Sequence, residues 1–222
     1  IEAADSLRDV SKGVALMELL QKNPQEKKVI FTQYLRTMDY LSDLLERRGV
    51  PFAIFKGTLS AREKDLAIDR FREEVPVLLS TESGGEGRNL QFCNTLINFD
   101  LPWNPMRIEQ RIGRLHRIGQ TRDVFVFNLA VKGTLEDYII DVLDNKINMF
   151  EMVIGEIEPI LGHLEREDDF EEIVMEIWLA STNEKELKGG FEKLGEELLQ
   201  AKKRYLKTKA FDNELFGEDY EI

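Results

Sequence analysis

One cysteine, Cys93, and two histidines, His116 and His163, stand in 222 residues. A lone cysteine excludes an internal disulfide framework, and with two histidines it gives no metal-ligand cluster, so no metal site is expected. Cys93 reads as a small core residue. No apolar run approaches the roughly 18 residues that a membrane span requires, and the N-terminus lacks the basic-then-apolar layout of a signal peptide. These absences point to a soluble, cytoplasmic protein. Internal repeats and long low-complexity linkers are absent too. Ile1 stands where an initiator methionine would, which reads as an excised piece of a longer chain.

Basic residues are outnumbered, 30 Lys and Arg against 42 Asp and Glu, a net charge of −12. Taken as a sum this disfavours a nucleic-acid partner, but its distribution matters more. Residues 1–150 hold 21 basic and 22 acidic side chains, whereas residues 151–222 hold 9 and 20. The acidity belongs to the tail, and a local phosphate-binding surface remains open to the first part.

Within that first part, Gln110 to Gln120 reads as a short helix with two faces. At about 100° per residue, Arg107, Arg111, Arg114 and Arg117 fall within roughly a third of a turn, and Ile108, Ile112 and Leu115 form a neighbouring apolar stripe. Guanidinium forks match phosphate oxygens bidentately, and Glu109 is the only acid between Arg107 and Arg122, so local pairing does not absorb the row.

Around it, apolar runs alternate with amphipathic stretches. Val29–Thr32, Phe52–Phe55, Val77–Ser80, Thr95–Phe99 and Val124–Phe127 read as strands. A helix near 34–48 turns Leu41, Leu44 and Leu45 inward and ends at Gly49. Ser60 with Glu63 forms a capping box for the next helix, whose apolar positions are Leu66, Ile68 and Phe71. The alternation predicts an α/β fold, a doubly wound and mostly parallel sheet with helices on both faces. Ligands of such folds bind outside the carboxyl ends of the strands. The loops Thr32–Gln33, Thr81–Asn89 and Asp100–Asn104 should therefore share one rim. Gly84, Gly85 and Gly87 would let backbone amides approach a phosphate or ribose closely, although their spacing fits neither the dinucleotide fingerprint nor a Walker A loop.

The ordered set Ser80-Thr81, Gly84-Gly85-x-Gly87, Asn89-Leu90, Asp100-x-x-Trp103-Asn104-Pro105 and Gln110-x-x-Gly113-Arg114-x-His116-Arg117-Ile118-Gly119-Gln120 resembles motifs V and VI of superfamily 2 helicases, in the form of Swi/Snf-type ATP-dependent DNA translocases. Val29 to Tyr34 resembles motif IV, and Phe55 to Ser60 the segment after it. The likeness covers roughly residues 10–150. It implies a RecA-like C-terminal lobe over 1–150, followed by an acidic, mostly helical extension over 151–222.

In the family, ATP lies between two lobes. The resemblance implies Arg114 and Arg117 as the arginines facing the triphosphate, with Gly85, Glu86, Gly87 and Gln110 beside the nucleotide. It likewise implies Gln33, Lys56, Thr58, Ser80, Thr81, Trp103 and Asn104 as contacts to duplex DNA. Trp103 has packing in the core or against the other lobe as its alternative use. ATP and Mg²⁺ would be the cofactors, with Mg²⁺ held by a first lobe of the same polypeptide. Neither a Walker A sequence nor an acidic Mg²⁺ box stands in this chain, so alone it should not hydrolyse ATP. Arg88, where leucine is common, and Gly113 make it similar to prokaryotic members, including the branch that recycles RNA polymerase. RNA polymerase or another nucleoprotein complex becomes a candidate partner, and a nucleoid-associated location follows. The alternatives are an RNA-directed superfamily 2 lobe and a non-catalytic binding module of the same fold.

Beyond Thr134 three helical stretches are expected, Leu135–Ile154, Phe170–Leu179 and Leu187–Leu206, with Ile173, Ile177, Trp178, Leu194 and Leu198 as packing positions. The last stretch carries Lys202, Lys203, Arg204, Lys207 and Lys209. A solvated helix end explains the cluster, and a second nucleic-acid contact is its alternative. The acidic helices are also candidates for a brake that mimics DNA charge.

Overall fold

The computed structural model describes residues 11–81, 90–116, 122–152, 154–164 and 169–216. The first element among the described residues is helix α1, Ser11–Lys22. There follow β1 (Lys28–Thr32), α2 (Leu35–Arg47), β2 (Phe52–Phe55), α3 (Ala61–Glu73), β3 (Val77–Thr81), β4 (Thr95–Asn98), α4 (Pro105–Leu115) and β5 (Phe125–Asn128). All five strands are parallel, in the order β2-β3-β1-β4-β5.

Strand alternation sorts side chains to two faces. Ile30, Leu79 and Ile97 pack with Leu16 and Leu20 of α1 and Met38, Leu41, Leu44 and Leu45 of α2. Val29, Phe31, Leu78 and Leu96 face the other way, against Ile68 and Phe71 of α3 and Leu115 of α4. Helices therefore cover both faces, as the alternation of patterns requires. Each fully buried Leu, Ile or Phe contributes about 1.5–3 kcal/mol.

The expected punctuation is present. Gly49, at φ +65°, follows α2 in a Schellman arrangement: its N–H donates to the Glu46 carbonyl at 3.0 Å and the Val50 N–H to the Leu45 carbonyl at 2.9 Å. At the start of α3 the Ser60 N–H donates to Glu63 Oε2 at 2.8 Å and the Glu63 N–H to Ser60 Oγ at 3.4 Å. The Ser60 hydroxyl, donating to Glu63 Oε2 at 2.7 Å, and the Ser60 N–H together hold the Glu63 carboxyl below its usual range. Leu66 departs from expectation: it is 59% exposed. Two residues along a helix are about 200°, so a helix that buries Ile68 turns Leu66 outward.

Two compact units result, one of Ile1–Pro102 with Gln110–Lys132, the other of Trp103–Glu109 with Gly133–Ile222. The second unit thus begins its main run at Gly133, where the sequence pattern carries the lobe to residue 150. It holds α5 (Leu135–Asp141), a π-helical turn (Val142–Lys146), a 3₁₀ turn (Met149–Glu151), α6 (Ile157–Leu161), α7 (Phe170–Ala180) and α8 (Glu184–Phe216). The helical stretch expected over Leu135–Ile154 is divided into shorter turns, with Asn148 in the left-handed region at φ 49°. Helix α8 begins before Leu187 because Asn183 caps it, accepting from the Glu186 N–H at 3.0 Å. Gly190 lets α8 approach α7, since a Cβ there would meet Ile177 Cγ2 at 2.6 Å. Ile173, Leu194 and Leu198 are buried as expected, but Trp178 is 48% exposed, at the edge of the apolar stripe of α7.

Candidate functional site

Strand register aligns the carboxyl ends of the sheet. Phe55, Ser80, Phe31, Asn98 and Asn128 stand in one row across β2, β3, β1, β4 and β5. The next positions are Lys56, Thr81 and Thr32, of which Thr81 and Thr32 are still paired, and Gln33 opens the loop after β1 beside them, so Lys56, Thr81 and Gln33 lie along one edge. The common rim expected from the parallel topology is present for these residues. Gln33 and Lys56 are half-buried and Thr58 is exposed. Ser80 is buried and its hydroxyl donates to the Thr81 carbonyl at 3.1 Å. Thr81 is buried as well, and its Oγ1 has no hydrogen-bond partner among the described residues.

Asp100 ties two of the loops together. Its Oδ2 accepts from the Thr32 hydroxyl and from the Gln33 N–H, the latter at 3.4 Å. Asp100 also accepts through its carbonyl, from Arg111 Nη1 at 3.1 Å. The same nitrogen donates to Asn98 Oδ1 at 2.6 Å, and Asn98 Nδ2 donates to Asn128 Oδ1 at 2.7 Å. The Arg111 guanidinium lies over the Phe31 ring, 5.2 Å from its centroid.

Arg111 is only 2% exposed, which corrects the picture of four arginines projecting together. On the helical wheel it lies about 40° from Leu115, nearer the apolar stripe than Arg107, Arg114 or Arg117. It follows Ile108 and Leu115 inward. The helix also differs in extent: it starts at Pro105, and helical residues are described as far as Leu115. Asn104 explains the start, because its Oδ1 accepts from the Met106 N–H at 2.9 Å and Pro105 takes the first helical position. Trp103 and Asn104 are half-buried and belong to the second compact unit. Gln110 is exposed, Arg114 is half-buried, and the Arg114 carbonyl accepts from the Leu90 N–H at 3.2 Å. Arg117, Gly85, Glu86 and Gly87 lie outside the described residues.

Asn98 and Asn128 are the residues that the sequence pattern does not single out, and Asp100 and Arg111, singled out for other reasons, join them in one buried network. An asparagine inside the apolar run Thr95–Phe99 was the available signal. Cys93 is the expected core residue: its thiol donates to the Lys27 carbonyl at 3.1 Å, and burial pushes its pKa up to about 11. At the opposite, amino end of β1, burial pushes the Lys28 ammonium down while Glu26 and Cys93 act against the shift.

Residues 11–119 match the model of the helicase conserved C-terminal domain. A protein described as an uncharacterized ATP-dependent helicase, YqhH of Bacillus subtilis (strain 168), is 44% identical over 188 residues, 85% of this chain and 33% of that protein. This is a Swi/Snf-type helicase C-terminal lobe. The lobe is also 40% identical over 139 residues to the RNA polymerase-associated protein RapA of Vibrio atlanticus (strain LGP32), 61% of this chain and 14% of that protein. Among solved structures, the C-terminal part of the Fun30 ATPase domain matches with a TM-score of 0.54 at 33% identity, over 58% of this chain and 43% of that one. The DEAD-box protein SrmB of E. coli shares the fold, with a TM-score of 0.52 at 24% identity, over 64% of this chain and 79% of that one. The lobe spans a third or less of the curated relatives' length. Among the described residues no helix is long and apolar enough to cross a membrane.

In the second unit, polar contacts stay near the surface. Glu109 accepts from the Gly155 N–H at 2.9 Å and the Ile157 N–H at 3.3 Å, and Arg107 lies 3.7 Å from Glu171. Lys202 donates to the Ile147 carbonyl, Arg204 to the His163 carbonyl at 3.0 Å, and Lys209 to Glu156 at 2.6 Å. Three of the five basic residues in the α8 cluster therefore tie α8 to its own unit, while Lys203 and Lys207 are exposed.

Proposed function

We propose that this chain is the second motor lobe of an ATP-dependent translocase on double-stranded DNA, and that it supplies Arg114 and Arg117 to an ATP held between lobes. Family membership supports the reading, but the observation that carries it is the rim: Gln33, Lys56 and Thr81 open from adjacent ends of one parallel sheet. An amide, an ammonium and a hydroxyl suit phosphate oxygens rather than base edges. The buried Thr81 hydroxyl, with no partner among the described residues, is a donor held for such an acceptor.

Arg114 and Arg117 lie three residues apart in the sequence and would neutralise charge on the transferring phosphoryl group. Gln110 and the loop of Gly85, Glu86 and Gly87 would flank the nucleotide. When bound, ATP would supply the phosphoryl group, and Mg²⁺ would supply charge neutralisation there. Mg²⁺ is assigned in this proposal to a first lobe of the same polypeptide. Trp103 and Asn104 would meet DNA, although Asn104 already caps α4. RNA polymerase or a similar nucleoprotein complex is the proposed partner, by analogy with RapA, and the chain alone is proposed to be inactive.

The test is Arg117→Ala in a two-lobe protein that carries this chain. DNA-stimulated ATP hydrolysis should fall by about 10³-fold or more with duplex binding retained. Normal turnover would overturn the proposal, as would stimulation by RNA but not by duplex DNA.

A further inference from the structure

In the helix that bears Gln110 and Arg114, the buried polar side chain of Arg111 reaches a residue that also holds the loop of Gln33. We infer that Arg111 is a positioning residue for ATP hydrolysis, acting with Asp100 as a joint between the arginine helix and the DNA-facing loop after β1. The inference rests on the functional reading above.

Asp100 is where the two connections meet. Its carbonyl accepts from Arg111, and its carboxylate accepts from the Thr32 hydroxyl and the Gln33 N–H. A change in the loop on engaging a phosphate backbone moves Asp100, and through the Arg111 bond it moves the helix one turn from Arg114. The chemistry of the side chain fits this role. A planar guanidinium fixes direction as well as distance, here to Asn98 Oδ1 at 2.6 Å and the Asp100 carbonyl at 3.1 Å, with its face on Phe31. Stability does not explain the choice. A buried cation is costly to desolvate, and an apolar side chain of similar volume commonly stabilises a site of this kind equally well. Orientation is what an arginine adds. A displacement of about 1 Å at a reacting group costs on the order of 10²-fold in rate, so a fastener of this type has a measurable effect far from the phosphate.

Two variants of the two-lobe protein test it, Arg111→Met and Thr32→Val, with Arg117→Ala alongside. Thr32→Val keeps a β-branched residue in β1 and removes the hydroxyl that donates to Asp100 and accepts a long bond from the Tyr34 N–H at 3.4 Å. Arg111→Met should lower kcat for DNA-stimulated hydrolysis by about 10²-fold with the ATP KM within about twofold, and Arg111→Lys should recover part of the loss. Thr32→Val should raise the DNA concentration needed for half-maximal stimulation and lower kcat less. Thermal unfolding of both variants should stay cooperative. If Arg111→Met hydrolyses ATP normally while Arg117→Ala is inactive, the joint is refuted and the arginine assignment stands. If Arg117→Ala is also normal, the functional reading itself fails. Should Arg111→Met not fold, normal DNA stimulation in Thr32→Val is sufficient to reject the joint.

Discussion

The two compact units treat polar side chains in opposite ways. Among the described residues, every buried polar or charged side chain belongs to the sheet-built unit: Lys28, Thr32, Ser80, Thr81, Thr95, Asn98 and Arg111. Five of these stand at the carboxyl ends of the strands or beneath them. The helical unit buries apolar side chains such as Ile139, Leu143, Ile173 and Leu198, and leaves its charges at caps and on exposed faces. Burying a polar group costs about 1–3 kcal/mol unless its bonds are satisfied. A fold that accepts this cost at one edge marks that edge as the place where orientation matters.

The largest effect expected from this contrast is in the buried network. Asn98→Leu removes an acceptor of the Arg111 guanidinium and should destabilise the chain by about 1.5–3 kcal/mol. Adding Arg111→Met to Asn98→Leu should restore most of that stability, because no buried charge then lacks its acceptor. Denaturant unfolding of the single and double variants measures both numbers. A double variant as unstable as Asn98→Leu alone would mean that the network is there for stability, and the contrast between units would lose its meaning.

A smaller effect is expected at the start of α8, where polar contacts are ordinary capping. Asn183→Ala should cost about 1 kcal/mol. Bonds from the Thr182 backbone and hydroxyl and from Asn183 hold the Glu186 carboxyl below its usual range. Its contribution is therefore complete at neutral pH, above the ordinary carboxylate range, and is lost as pH falls through the lowered value. Unfolding followed from pH 7 into acid should show Glu186→Gln converging on the parent. Persistent divergence in acid would remove Glu186 from this role.

Much of this architecture was legible in the sequence because it rests on local rules. Strand boundaries followed β-branched runs, Gly49 and the Ser60–Glu63 pair marked helix ends, and alternation along Val29–Phe31 and Val77–Leu79 fixed which residues face which helices. Errors came where a helical wheel was read without tertiary partners. Arg111 lies at the border of two faces, and only the polar strand ends Asn98 and Asp100 decide that it turns inward. Leu66 and Trp178 were counted as packing positions from hydrophobicity, although helical phase sets them at or beyond the stripe edge. The break at Val142–Asn148 combines a π-helical turn with a left-handed asparagine, a departure that a 3.6-residue period does not register.

The carboxyl edge of the sheet-built unit, and not the basic cluster of α8, is the surface proposed to meet the nucleic acid. Amide hydrogen exchange on the two-lobe protein, with and without duplex DNA in matched salt, tests it directly. Protection is expected at Gln33–Tyr34, Lys56–Leu59 and Thr81, with residues 202–209 unchanged. Protection confined to 202–209, or no change at the strand ends under saturating DNA, would contradict it.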